Sequence, residues 1–472
     1  MSGPIEASSA LEQRGIDLVP PSQRYGSPSG LFFLWAGTTT NIFTVSYGAL
    51  LVLTFGLSFG QAIAAIVVGN LIAYPLLGLT SVQGPTTGTT TITISRSAFG
   101  PNGARMNGVL SWLMCLGFEA GGLVLVYYAV ESLFALAGVD LSGVTRIVTI
   151  LLLGLVQMVL PLVGHAFLMR IQTVLTVIFA LAFVMLAILV VPKTQVTAST
   201  AQSDVMTMVS AISLVVVSGG LSWAPSGANF SRYLPSDSKP VAVGFWAGAG
   251  GLVPYLLLQT LGAAMATVVV GDEVDLTNPL AVPAVLPSAF SLPFLLLVAL
   301  GLMAQNSTNL YSSGLNLQTA GVNAPRIMIV VIDSILCVIV TIVAVWQSSF
   351  YTLLNAFVGS MSIWLAPWVT VYLIDWWRRR GRYDLAGLAN EHGGPYWGRN
   401  GIHWPGMGAF LAGVLAAALF ANTGYFVGPL TALLSPAEPA HSPDLAIIMG
   451  MVVAGVVYLT SSRTGTATVP TN

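Results

Sequence analysis

Stretches of about twenty mostly apolar residues, each enough to cross a hydrocarbon core of roughly 30 Å as a helix, recur so densely along this chain that little else is left. Twelve can be placed, over 31–57, 60–81, 107–137, 146–165, 171–192, 205–227, 242–270, 290–315, 326–346, 351–376, 405–423 and 444–461. Charged residues make up 7% of the 472 and hydrophobic residues 55%, whereas soluble domains carry about 25% charged residues. A water-facing surface cannot be assembled from that supply. The expectation is an all-α membrane protein whose backbone groups pair within each segment.

Basic residues orient such a chain, because short cytoplasmic loops retain Lys and Arg. With the N-terminus inside, Arg14, Arg24, Arg96, Arg105, Arg170, Arg232, Lys239, Arg326, Arg378, Arg379, Arg380, Arg382, Arg399 and Arg463 fall on the cytoplasmic side. Only Arg146 and Lys193 fall outside. An odd miscount of segments would scramble this asymmetry, so it supports the even number as well as the orientation. External loops are neutral or acidic, as at Asp272, Glu273 and Asp275.

Residues 1–30 are polar, with Pro20, Pro21 and Pro28 and no apolar signal core, and read as a cytoplasmic tail; 462–472 reads as a second. The loop 377–404 is too short to fold alone. Its Arg378, Arg379, Arg380 and Arg382 read as topology determinants and lipid headgroup contacts, not as a nucleic-acid site. Cys115 and Cys337 lie in apolar segments and read as interface packing, with no disulfide implied. The histidines His165, His392, His403 and His441 lack metal-ligand spacing. No phosphate loop of the Walker type is present, which argues against a nucleotide-driven process.

Two segments break the apolar rule. In segment 1, Ala36-Gly37-Thr38-Thr39-Thr40-Asn41 puts small or polar residues in a row; in segment 6, Ser218-Gly219-Gly220-Leu221-Ser222-Trp223-Ala224-Pro225-Ser226-Gly227 does the same. Pro225 has no N–H, so the carbonyl four residues earlier loses its helical partner. Unpaired backbone at membrane depth is tolerated where protein, water or a ligand satisfies it. If 31–192 and 205–376 are five-segment repeats, the odd number inverts the second copy and makes the two interrupted segments equivalent. That arrangement points to a transporter with a midplane binding site built from broken helix ends. The alternative is close helix packing through small residues.

Motifs throughout the chain then resemble one family. They are Gly15-Ile16-Asp17-Leu18-Val19-Pro20 with Arg24, Gly84-Pro85-Thr86-Thr87-Gly88, Ser95-Arg96-Ser97-Ala98-Phe99-Gly100, Asn229-Phe230-Ser231-Arg232-Tyr233-Leu234-Pro235, Asn309-Leu310-Tyr311-Ser312 with Gln318, and Gly401-Ile402-His403-Trp404. In order and spacing they resemble the purine–cytosine permease branch of the nucleobase:cation symporter family. The resemblance implies a LeuT-like fold of ten core helices, arranged as a 5+5 inverted repeat, with two peripheral helices over 405–461.

A nucleobase is flat and carries donors and acceptors along its edge, so its site needs aromatic faces with a few amides, hydroxyls or carboxylates. By the resemblance, Trp223 occupies the place of the family's stacking aromatic in segment 6. Phe118 stands where relatives usually have Trp, and Gly122 where many have Asn. These departures leave volume for a larger or less polar cargo. Glu119, deep in segment 3, either accepts hydrogen bonds from the substrate edge, carries a coupled proton, or is a protonated structural acid bonded to a neighbouring helix; Asp333 reads as structural. Ser222, Asn309 and Ser313 are expected to read the edge, with Gln318 a weaker candidate. Asn229 stands where relatives often have Asp.

Ala304, Ser307 and Thr308 fall at i, i+3 and i+4, so a carbonyl and two hydroxyls share one helical face. Carbonyls of the unwound segment 1, from Gly37 and Thr40, complete an oxygen set suited to a sodium ion. The same three segment 8 positions match sodium ligands of family members, and proton coupling is the alternative. The expected function is import of a cytosine- or purine-like base by cation symport with alternating access, in the plasma membrane, with both termini cytoplasmic. Other readings are a symporter of allantoin, a hydantoin, thiamine or a pyridoxine, and a passive facilitator. A membrane enzyme finds no clustered catalytic residues.

Overall fold

The computed structural model describes residues 15–163, 165–196, 204–269, 288–346, 350–436, 438 and 442–462. Arg14, Asp272, Glu273, Asp275, His441 and Arg463, along with the His165 and Arg326 side chains, lie outside the described residues.

Every expected segment is helical. Segment 1 divides into α1 (Gly30–Thr39) and α2 (Ile42–Leu53). There follow α3 (Phe59–Ser81), α4 (Arg96–Leu136), α5 (Val144–Val163), α6 (His165–Val190) and α7 (Val205–Val216). The chain continues with α8 (Pro240–Val269), α9 (Ser288–Thr319), α10 (Arg326–Val345), α11 (Phe350–Arg378), α12 (Trp404–Leu419) and α13 (Ala446–Ser461). Among the described residues, eight helices are long and apolar enough to cross a membrane, and four more are shorter apolar helices. Leu151, Leu152, Leu155 and Val156 of α5, with Leu181, Val184 and Ile188 of α6, face outward and exposed. A water-soluble protein would not leave such a belt uncovered.

Inside the bundle α4 runs along α9 with α10 beside both, while α3 and α2 pack on α8. Backbones touch where glycine permits it. A Cβ on Gly48 of α2 would stand 1.9 Å from the Gln259 carbonyl oxygen, and one on Gly262 of α8 1.8 Å from that of Val45. Small residues at such crossings replace the hydrophobic drive that lipid cannot supply. The helices α12 and α13 pack on each other and on α11, to one side of the core.

The polar segments are better ordered than a tail and a loop would be. Val19 N donates to Gly88 O at 2.8 Å, Thr89 Oγ1 to Ile16 O at 2.8 Å and Arg232 Nη1 to Gly15 O at 2.7 Å. Residues 15–25, within the expected cytoplasmic tail, thus strap across the ends of α3 and segment 6. In the loop after α11, Glu391 takes Arg96 at 2.8 Å and Arg105 at 2.9 Å. Asp375 accepts from Arg379 Nε at 2.7 Å, Ser97 Oγ at 2.6 Å and Tyr458 OH at 2.8 Å. Arg379 therefore belongs to a packed network and not to the headgroup layer assigned from its charge. Gly100, at φ 77°, lets the start of α4 meet this loop, since a Cβ there would lie 2.5 Å from Gly401 O.

Burial alone would raise the Glu391 carboxyl, but Arg96 and Arg105 outweigh it and hold the group below its ordinary value. Its stabilising effect is present above the unfolded-state value of about 4.3 and lost as pH falls through the lower folded value. We expect Glu391→Gln to cost about 1 kcal/mol at pH 7, because the pair is partly solvent-screened. Melting of the detergent-purified variant should fall below wild type at pH 7, with the gap closing as pH falls through the lowered folded value; a gap unchanged by acid, or none at pH 7, would contradict the assignment.

Candidate substrate and cation site

The break in segment 1 follows from its side chains. Asn41 is extended, at φ −154° and ψ 174°, and its Oδ1 caps α2 by accepting from Phe43 N at 2.9 Å and Thr44 N at 3.4 Å. Asn41 N donates to Thr39 O, so the Gly37 carbonyl is deprived of its regular helical partner. Hydroxyls satisfy the neighbouring carbonyls: Thr39 Oγ1 donates to Trp35 O, Thr40 Oγ1 to Ala36 O and Thr44 Oγ1 to Thr39 O. A threonine-rich run thus surrounds the opening with side-chain donors, leaving the Gly37 carbonyl as the group freed by it.

Segment 6 opens differently. After α7 the chain widens into a π turn over Val217–Leu221, passes a tight turn at Ala224–Ser226 containing Pro225, and closes with a short helix, Gly227–Ser231. Gly220 approaches α3 so closely that a Cβ would stand 2.3 Å from Ala73 O. Tyr255 OH donates to Ser218 O at 2.7 Å and Ser222 Oγ to Gly219 O at 2.9 Å.

Between the two breaks lies a small cavity, closed down in this conformation to about the space of a water molecule. Phe118, Met114 and Cys115 of α4 line it with Ser218, Ser222, Trp223 and Ser226 of segment 6. Phe43 and Tyr47 of α2, Tyr255 of α8, and Gln305 and Asn309 of α9 complete the wall. Trp223 packs edge-to-face on Trp35, with ring centroids 5.5 Å apart, and Phe118 on Phe357 at 5.7 Å. Each lining aromatic is thereby held by a second ring. Asn309 Nδ2 and Tyr47 OH are buried without a hydrogen-bond partner in the protein, the state of groups kept for a ligand or water.

Of the residues expected here, Phe118, Ser222, Trp223 and Asn309 meet in this cavity, whereas Glu119, Gly122 and Ser313 are not among its lining residues. Gly122 faces α9, where a Cβ would lie 2.4 Å from Asn306 Oδ1. The side chain of Asn306 thus takes the volume that the sequence left for a larger cargo. Glu119 and Ser313 lie in a buried cluster with Asp333. Gln318 sits against Ala324 O and Gly15, away from the cavity. Asn229 Oδ1 accepts from Thr91 N at 3.1 Å and so ties segment 6 to the chain after α3. Phe43, Tyr47, Tyr255 and Gln305 were not anticipated. The i, i+4 aromatic pair directly after the break in segment 1 was the available signal for the first two.

A second polar pocket joins α1, α6 and α9. Thr38 Oγ1 and Thr308 Oγ1 are 3.0 Å apart. Gln172 Nε2 of α6 donates to Ala304 O at 2.9 Å and to Thr308 Oγ1 at 3.1 Å, while Ser307 Oγ donates to Ala304 O at 2.7 Å. Gly37 makes room for this amide, since a Cβ would lie 2.4 Å from Gln172 Oε1. Thr40 O faces α9 across Gly301, where a Cβ would be 3.5 Å from it. Every named side chain in this pocket is buried. Gln172 was the residue missed, and a buried amide in the apolar sequence of segment 5 was its signal.

A family model described as a permease for cytosine/purines, uracil, thiamine and allantoin matches residues 18–436. The chain belongs to this permease family. It is 28% identical over 464 residues to the putative purine-cytosine permease YxlA of Bacillus subtilis, covering 95% of each. In structure it is similar to Mhp1, a nucleobase-cation-symport-1 family transporter solved in a closed conformation with bromovinylhydantoin bound. The TM-score is 0.75 at 18% identity, with 96% of this chain and 95% of that one covered. A sodium-coupled sialic acid symporter shares the fold at a TM-score of 0.61 and 10% identity, covering 93% and 90%. The permease is therefore a multi-pass membrane transporter of LeuT-like fold, and not an enzyme. Its cavity sits at the two broken helices.

Trp223 offers a ring face to the cavity while Trp35 fixes its orientation, so truncation should remove stacking without opening the bundle. We expect Trp223→Ala to weaken binding of the transported compound about 5- to 150-fold, the equivalent of about 1–3 kcal/mol. Equilibrium binding on a variant that still melts cooperatively checks this, and unchanged affinity would remove Trp223 from the site.

Proposed function

We propose that the permease imports a cytosine- or purine-like base by symport with a cation, exposing the cavity to either side of the plasma membrane in turn. The observation that carries this reading is the cavity itself. Two braced rings, Trp223 and Phe118, border a space that also meets the unpartnered donors Asn309 Nδ2 and Tyr47 OH. A planar heterocycle satisfies both features at once, with its faces on the rings and its edge on the amide and hydroxyls. Phe118 carries no indole donor, so in this reading the edge falls to Asn309 of α9 and Tyr47 of α2. Both termini are read as cytoplasmic from the distribution of Arg and Lys.

Sodium is the coupling ion that the oxygen chemistry between α1 and α9 favours. Ala304 O, Thr308 Oγ1 and Thr38 Oγ1 would hold it, with Ser307 and the Gly37 and Thr40 carbonyls as further oxygens. Bound there, a sodium ion would supply a fixed positive charge tying the opened helix to α9. Gln172 Nε2 now serves two of the same acceptors, so a cation and this amide compete for them. Thr308 and Asn309 are consecutive, which places cation and base on adjoining positions of one helix.

A ligand bound only by the folded state raises melting by mass action, by about 2.7 kcal/mol at a hundredfold excess over Kd. We expect one of cytosine, adenine, hypoxanthine, uracil or allantoin to raise the melting temperature of the purified protein, and more so in sodium than in potassium. Thr308→Ala should abolish the sodium increment and keep the shift given by the base alone. A shift indifferent to the cation would sink the sodium reading, and no shift with any base would sink the nucleobase reading.

A further inference from the structure

Glu119 of α4 and Asp333 of α10 are both fully buried, and their carboxyl groups meet inside the bundle. Asp333 Oδ1 accepts from Trp112 Nε1 at 2.8 Å. Asp333 Oδ2, both Glu119 carboxyl oxygens and the Oγ of Ser313, which lies near both acids, are buried without a hydrogen-bond partner in the protein. An ionised acid can only accept, so two ionised acids cannot bond to each other.

The groups facing this pair are otherwise neutral. From α9 come Asn306, Ser313 and Asn316; from α5 comes Gln157, which accepts from Asn306 Nδ2 at 3.0 Å and donates to Cys337 Sγ at 3.4 Å. The remaining titratable neighbours are the buried thiols of Cys115 and Cys337. No Arg, Lys or His among the described residues acts on either carboxylate. Two adjacent like charges in a buried site without a counter-ion repel strongly, which favours a proton held on one of them.

We propose that Glu119 and Asp333 share one proton in an O–H···O bond and form a proton-binding site behind the substrate cavity. The proton enters from water and returns to it, changing the pair between one negative charge and two. The site is separate from the sodium reading and does not depend on which base is carried. It is connected to the cavity through two helices. Cys115, one turn before Glu119, and Asn309, one turn before Ser313, both line the cavity. A base that draws on Asn309 therefore shifts the hydroxyl that serves the carboxyl pair.

Infrared spectroscopy of the full-length protein in detergent reads the proton directly. At neutral pH the wild type should show a protonated-carboxyl C=O band that titrates away at alkaline pH and is missing in Glu119→Gln, whose amide can still donate to Asp333. Trp112→Phe removes the donor that stabilises the ionised form, so the same band should persist to higher pH; it decides the matter if Glu119→Gln fails to fold. A spectrum without such a band, or one that both variants leave unchanged, overturns the proposal. With whichever base the melting series identifies, wild-type affinity should fall at least fivefold across that titration and Glu119→Gln should not follow it. A pH-independent wild-type affinity alongside an intact band would overturn the link to the cavity, and if no base binds, the infrared result still decides the proton site.

Discussion

Everything functional in this bundle depends on backbone that is not helical at a depth where water cannot serve it. A carbonyl left unpaired in hydrocarbon costs several kcal/mol, so a helix opens there only with local substitutes. In segment 1 the substitutes are covalently adjacent. Three threonine hydroxyls and one asparagine amide take up the acceptors around Thr40. In segment 6 they come partly from elsewhere, with Tyr255 OH on Ser218 O. The first break is thus stabilised by its own sequence and the second by its neighbour α8, and a shift of α8 acts directly on segment 6.

The two pockets created by these breaks are mechanically continuous. The cation candidates Thr38 and Thr308 touch at 3.0 Å, and the next residue, Asn309, lines the substrate cavity. Any movement of α1 away from α9 separates those hydroxyls beside the helix that carries Asn309. In the proposed reading, coupling would need no long relay, because one turn of α9 borders both candidate sites.

The fold was legible because lipid leaves few choices: length, hydropathy and the Arg and Lys count fix the segments, and the row of small and polar residues from Ala36 to Asn41 marks the first break. Trp223 and Asn309, assigned to the site through the family resemblance, do line the cavity. What sequence could not give was direction around a helix. Gly122 and Phe118 lie four positions apart, yet Phe118 borders the cavity while Gly122 turns to Asn306. Gln172 closes the cation pocket from a different segment, and no spacing rule within one helix connects residues 172 and 304. Arg379 was read as a surface charge because a basic cluster beside a span usually is one. Its partner Asp375 lies one turn earlier on the same helix and was the available clue.

The remaining buried charges show how this protein ordinarily treats ions. Arg96 is met by Glu391 and by Leu388 O, and Arg232 by Gly15 O and the Tyr233 hydroxyl. Asp375 gathers three donors, and Asp444 accepts from Asn422 N and Ala446 N. Each has partners suited to its charge, as buried ions require. Glu119 and Asp333 depart from that pattern in the middle of the bundle, with one indole donor between two carboxyls. In the proposed reading a shared proton supplies the donor that this pair lacks, whereas the other buried ions draw most of their partners from neighbouring protein groups.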